Sequence, residues 1–293
     1  MQGVEISDMK LMASFQCAVL LVLVSASAVL AEEPRGSRAI YNTFTDEEEM
    51  TMGRTAAEDV EKTQPILADA ELTEYVERVG QKLAAASQRK ELQYHFKIVD
   101  SPAVNAFSLP GGYVYVNRAL LDVVESEGEL AGVLGHEVGH VVGFHSMNDV
   151  ARRWLVDRVM YEGQKAGLVR DQQIQDMLQK YGGTALLFVN RKFSREEENE
   201  ADLLGIYNAV RAGWEPNGLI TFLNRLIGAG AGQDLYELLL RHHPLPEERV
   251  KALTAELKTS PPAKSLKKSS GAFRLMKDRL QTLPPPPPAR KLE

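Results

Sequence analysis

The residues His136-Glu137-Val138-Gly139-His140 stand in a run where Leu130, Val133, Leu134, Val141 and Val142 give the spacing of a buried helix. A helix turns about 100° per residue, so His136 and His140 fall about 40° apart, one turn from each other, and both imidazoles can meet one metal ion. Glu137 falls beside that face. From there its carboxylate reaches a water next to the metal without itself being a ligand, which is the place of a general base. The apolar remainder of the helix would keep the pair dry. Two histidines do not complete a catalytic zinc site, which usually has three protein ligands and one open position.

Two places offer a third ligand. His145 follows His140 and Gly143 in a pattern close to that of the metzincins, but those need a histidine three residues after the glycine, where Ser146 stands. His145 is therefore read as a residue that stands behind a ligand or as packing. The run Ser194-Arg195-Glu196-Glu197-Glu198-Asn199-Glu200-Ala201-Asp202 is the stronger candidate, because Glu198 and Asp202 share a helix face at i, i+4. One carboxylate can ligate while the other orients a ligand histidine. Cys17 is the only cysteine and lies in the leader, so the metal must be held by histidines and carboxylates.

These residues need helices and a few strands to hold them. Thr45 with Glu48 is a capping box that opens a helix to about Glu61, and Leu72, Tyr75, Val76, Val79 and Leu83 form the buried stripe of a second helix after Asp69. Around residues 93 to 117 the period changes to two. Tyr94, Phe96 and Ile98, then Val114 and Val116, alternate with other residues as in strands, and Pro110-Gly111-Gly112 suits a tight turn. Helix is expected from about Glu127 to His145, then in pieces between Val150 and Gln179 until Gly182-Gly183 interrupts it. Ser194 with Glu197 caps a helix that stops near Gly213, and another starts near Pro246.

In combination the motifs resemble the gluzincin-type zinc metallopeptidase family of HtpX, BepA and the CAAX prenyl proteases, most nearly its secreted bacterial branch. The resemblance rests on the His136 to His140 motif, Ser194-Arg195-x-x-Glu198-x-x-x-Asp202 with Gly205, Asn105-Ala106-Phe107-Ser108-Leu109-Pro110-Gly111-Gly112-Tyr113, and His243-Pro244. It spans about Thr45 to Leu257, without the C-terminal helical repeat (TPR) domain of BepA. It implies a mostly α, α+β zincin-like domain with a small sheet, and one Zn²⁺ per chain held by His136, His140 and Glu198. Glu137 is then the base, Asp202 stands behind a ligand, and Glu200 is the wrong glutamate. His243 would approach the metal as a removable fourth ligand or stabilise an oxyanion. Asn105, Ala106 and Phe107 would begin a strand edge that pairs with an extended peptide. Arg249 is expected to pair with a buried carboxylate. The implied function is a zinc-dependent endopeptidase of envelope proteins serving protein quality control, with unfolded or misassembled proteins as substrates. The rival reading is a chaperone-like or adaptor protein with a structural zinc.

The net charge of −6 offers no basic face for nucleic acid. Leu11 to Ala31 has the layout of a secretory signal, so residues 1–31 are expected to be removed and the mature protein to be periplasmic or secreted. The alternative is an uncleaved anchor at residues 11–31 facing the periplasm, and peripheral membrane association is a further expectation. A flexible start at 32–44, the peptidase domain at 45–257 and a basic, proline-rich tail at 258–293 complete the division. The tail carries nine Lys/Arg against two acids, which leaves −13 in the first 257 residues. That charge contrast and the stripe Phe273, Met276, Leu280 and Leu283 predict a short helix over 271–283 docked on the domain, followed by a stiff arm of five prolines. The long connection 146–193 is a candidate lid over the cleft.

Overall fold

The computed structural model describes residues 35–165, 191–229, 234–244, 246–259 and 266–288. The leader, the Gly182-Gly183 interruption and most of the candidate lid lie outside the described residues. Among those described, no helix is long and apolar enough to cross a membrane.

The chain enters without helix or strand, but it is tied down: Ala39 N and Asn42 Nδ2 donate to Asn148 Oδ1 at 3.0 and 2.9 Å. Helix α1 (Asp46–Thr63) begins with the expected capping box, in which Thr45 and Glu48 satisfy each other's backbone N–H. Helix α2 (Ala70–Ala86) is capped by Asp69 and buries Leu72, Tyr75, Val76, Val79 and Leu83. Strands β1 (His95–Val99), β2 (Ala106–Leu109) and β3 (Tyr113–Asn117) form a sheet of order β1-β3-β2. β3 pairs parallel with β1 and antiparallel with β2. The β2–β3 turn is Pro110–Gly112, where Gly111 and Gly112 take φ of 72° and 87° as the turn requires. All four residues of β2 are buried, so its pattern does not alternate; it packs against the next long helix and against α1.

After the short α3 (Arg118–Val123) comes α4 (Glu127–Val142), every residue of which is buried. The sequence predicts this helix to run to His145, but it stops at Val142 and α5 (His145–Lys165) starts afresh. The break is at Phe144, whose φ of 53° is left-handed and costs a non-glycine residue about 1–2 kcal/mol. Its ring contacts offset that cost. The Arg38 and Arg89 guanidinium carbons lie 4.6 and 4.0 Å from the ring centroid, and Arg89 is itself held by buried Glu49 and by the Val141 carbonyl.

Helix α6 (Arg195–Arg211) opens with the Ser194–Glu197 capping box and crosses α4 at unusually short range. A Cβ at Gly139 would sit 2.5 Å from the Ala201 carbonyl oxygen, and one at Gly205 would sit 2.7 Å from the His136 nitrogen. Neither position tolerates a side chain unless the helices separate. Helices α7 (Asn217–Ala229), α8 (Asp234–His242) and α9 (Pro246–Thr259) follow, with α7 lying against both α4 and α9.

The tail helix α10 (Gly271–Gln281) is capped by Ser270 and packs on α2 and α3, burying Phe273, Met276 and Leu280. The expected charge contrast takes specific form: Arg279 pairs with Asp69 at 2.8 Å, and Lys277 Nζ donates to the Leu121, Asp122 and Val124 carbonyls. Beyond it residues 284–288 have no regular structure, and Arg118 donates to the Pro284 carbonyl. Phe273→Ala is expected to lower unfolding free energy by about 3–5 kcal/mol in urea titrations. Leu275→Ala, 69% exposed on the opposite face, should change it by no more than about 0.5 kcal/mol.

Candidate metal centre

His136 and His140 are brought within reach of one point because α4 stays regular between them; their Nε2 atoms are 3.0 Å apart. The crossing with α6 places Glu198 against them, with its oxygens 3.7 Å from His136 Nε2 and 3.4 Å from His140 Nε2. His243, one residue past α8, donates its backbone N–H to the Leu239 carbonyl and turns its ring inward. Its Nδ1 is 2.9 Å from Glu198 Oε1 and 3.2 Å from His136 Nε2. All four side chains are buried, and together they form a group that could hold a metal ion.

The spacing fits such an ion. Bonds of about 2.0–2.1 Å in tetrahedral geometry put ligand atoms about 3.3 Å apart, the middle of the observed 2.9–3.7 Å range. The protonation states fit as well. Burial pushes the His140 imidazole well below its ordinary value and keeps a lone pair available. Burial alone would raise the Glu198 carboxyl, but Arg249, His243 and His136 together hold it well below the carboxylate range.

Behind the cluster stand the charges that make this burial tolerable. Asp202 Oδ1 is 2.7 Å from His136 Nδ1, so it accepts that hydrogen and leaves Nε2 facing the cluster. Arg249, on α9, donates to both Asp202 oxygens at 2.6 and 2.8 Å and lies 2.7 Å from Glu198 Oε2. The expected pairing of Arg249 with a buried carboxylate is therefore present twice. Burial would raise the Asp202 carboxyl, yet Arg249 and His136 lower it.

Glu137 lies beside the ligand group and outside it. Its Oε2 accepts from Ser108 Oγ at 3.0 Å, and Oε1 is 3.6 Å from His243 Nε2. A small recess opens on His136, Glu137 and His243, walled by Val133, Leu219, Phe222, Leu223, Leu226 and Leu239.

Other residues of the motifs and the remaining histidines lie outside the cluster. Glu200 faces away from the cluster and approaches His145 Nε2 at 3.2 Å, while His145 Nδ1 lies 2.7 Å from His140 Nδ1. His95 stacks on Tyr113 in the sheet, and His242 is buried outside the cluster, where burial pushes its ring down to about 4. Asn105, Ala106 and Phe107 lie at the start of the outer strand β2, but their side chains are buried; Phe107 stacks on Tyr115. Sequence reasoning missed two contributors. Ser108 was seen only as part of a strand motif. Phe193, which stacks on His140 with centroids 3.7 Å apart, offered no signal beyond an aromatic residue just before the Ser194 cap.

The pattern of Peptidase family M48 matches residues 70–257, more than half of the chain and all of the cluster. The chain belongs to peptidase family M48. It is 29% identical over 228 residues to a putative beta-barrel assembly-enhancing protease of Vibrio cholerae, covering 76% of this chain and 47% of that protein. It is 28% identical over 214 residues to the beta-barrel assembly-enhancing protease of Escherichia coli, covering 71% and 44%. The mitochondrial metalloendopeptidase OMA1 of Schizosaccharomyces pombe is 31% identical over 181 residues, covering 62% and 52%. The chain thus spans about half the length of the relatives it matches. This M48 chain should retain about one metal ion after purification, and Ala at His136, His140 or Glu198 should each reduce the content severalfold in elemental analysis.

Proposed function

We propose that the protein is a zinc-dependent endopeptidase that hydrolyses peptide bonds in cell-envelope proteins as part of protein quality control. The observation that carries this reading is the placement of the Glu137 carboxylate beside, and outside, the group formed by His136, His140, Glu198 and His243. In this reading His136, His140 and Glu198 hold Zn²⁺. Zinc, when bound, lowers the pKa of water to about 7 and polarises the scissile carbonyl.

The chain's own residues do the rest. Glu137 takes a proton from the attacking water and returns it to the leaving amine; the Ser108 hydroxyl fixes which of its oxygens faces the reaction. Asp202 orients His136, and Arg249 keeps Asp202 and Glu198 ionised although both are buried. In this reading His243, whose Nε2 lies 3.6 Å from Glu137 Oε1, would either donate to the carbonyl oxygen or serve as a removable fourth ligand. The apolar recess beside Glu137 takes an apolar side chain next to the scissile bond, and the outer edge of β2 pairs with the extended peptide backbone.

The family and the names of the relatives support protein substrates, and the sequence of residues 11–31 supports delivery across a membrane. Unfolded or misassembled envelope proteins are the proposed class, and residues 146–193 the proposed cover that restricts entry. An adaptor with a structural zinc is disfavoured, since a fold-holding site has no use for a buried carboxylate beside the ligands. Glu137→Gln should keep metal and fold but lose about 10²- to 10⁴-fold in peptide turnover, the usual contribution of a general base. Comparing new protein termini after incubating envelope proteins with each form tests this directly; equal cleavage by both would remove Glu137 from the role.

A further inference from the structure

An imidazole ligates a metal through Nε2 only when that nitrogen carries no hydrogen, so its Nδ1–H must find an acceptor. For His136 the acceptor is Asp202. His140 lies nearest to a second histidine instead: His145 Nδ1 is 2.7 Å from His140 Nδ1. Two ring nitrogens face to face do not by themselves say which one donates.

Glu200 decides the direction. Its carboxylate oxygens accept, and Oε2 lies 3.2 Å from His145 Nε2. With the Nε2 hydrogen given to Glu200, His145 presents Nδ1 as a lone pair, His140 Nδ1–H donates to it, and His140 Nε2 is left bare toward Glu198 and His136. We infer that His145 and Glu200 form a hydrogen-bonded relay that fixes the tautomer and orientation of His140 as a metal ligand, an inference that rests on His140 being one.

The fold builds this relay from separate parts. The break at Phe144 ends α4 and restarts the chain at His145, and a side chain on Gly143 would occupy the place of the His145 ring. Glu200 follows Glu198 by two residues, about 200° around α6, so the two glutamates face different partners. Phe193 stacks on His140 from the remaining side. His145 is buried, its side chain 3% exposed, whereas that of Glu200 is 32% exposed, so water can replace the glutamate in part but not the histidine. Both are positioning residues, with His145 the stronger.

The test uses the full chain loaded with Zn²⁺ alone. Competition against a chromogenic chelator should show His145→Ala binding about 10- to 100-fold more weakly, Glu200→Ala more weakly by a smaller factor, and His145→Gln, whose carbonyl can accept, recovering part of the loss. In proton NMR of the zinc form, the His140 Nδ1–H should appear as a downfield, slowly exchanging resonance. It should persist in Glu200→Gln and vanish in His145→Ala. That resonance separates the relay from a merely structural role, and Glu200→Ala reports even if His145→Ala fails to fold. Unchanged affinity in both His145→Ala and Glu200→Ala, with His140→Ala losing the metal, would overturn the relay alone. Retention of the metal by His140→Ala would overturn the ligand reading and the relay together.

Discussion

The close crossing of α4 and α6 is the constraint on which the site depends. Gly139 meets the Ala201 backbone and Gly205 meets the backbone at His136, so the helices touch main chain to main chain. At that distance two histidines of one helix and two carboxylates of the other share one small volume. Separating the helices by the width of a side chain would dissolve the geometry while leaving every residue present.

Such crowding has an electrostatic cost. Glu198 and Asp202 are one turn apart and both buried, and each buried ion costs several kcal/mol unless it is paired and hydrogen-bonded. Arg249 hydrogen-bonds both oxygens of Asp202 and pairs with Glu198, and His136 adds a second donor to Asp202.

Much of this was legible in the sequence because helical periodicity is local. The four-residue spacing of His136 and His140, and of Glu198 and Asp202, fixes which side chains share a face before any tertiary contact is known. The separation of Glu198 from Glu200 follows from the same rule, although the choice of Glu198 came from the resemblance to a family. The tail helix was visible for a similar reason, in the stripe of Phe273, Met276 and Leu280 and in the charge contrast that Arg279 and Lys277 now make specific. What depended on distant partners was hidden. The break at Phe144 is stabilised by Arg38 and Arg89, more than fifty residues earlier, and nothing in residues 127–145 announces it. Ser108 reaches Glu137 only because β2 packs on α4, and the uniform burial of β2 turns Phe107 inward.

Diffraction from zinc-loaded crystals at the zinc absorption edge tests the central claim most directly. The account predicts one strong anomalous peak between α4 and α6, about 2.0–2.1 Å from His136 Nε2, His140 Nε2 and a Glu198 oxygen, with Asp202 on His136 Nδ1. A zinc bound through Glu200 or His145, or one that draws α4 and α6 apart at Gly139 and Gly205, would contradict it.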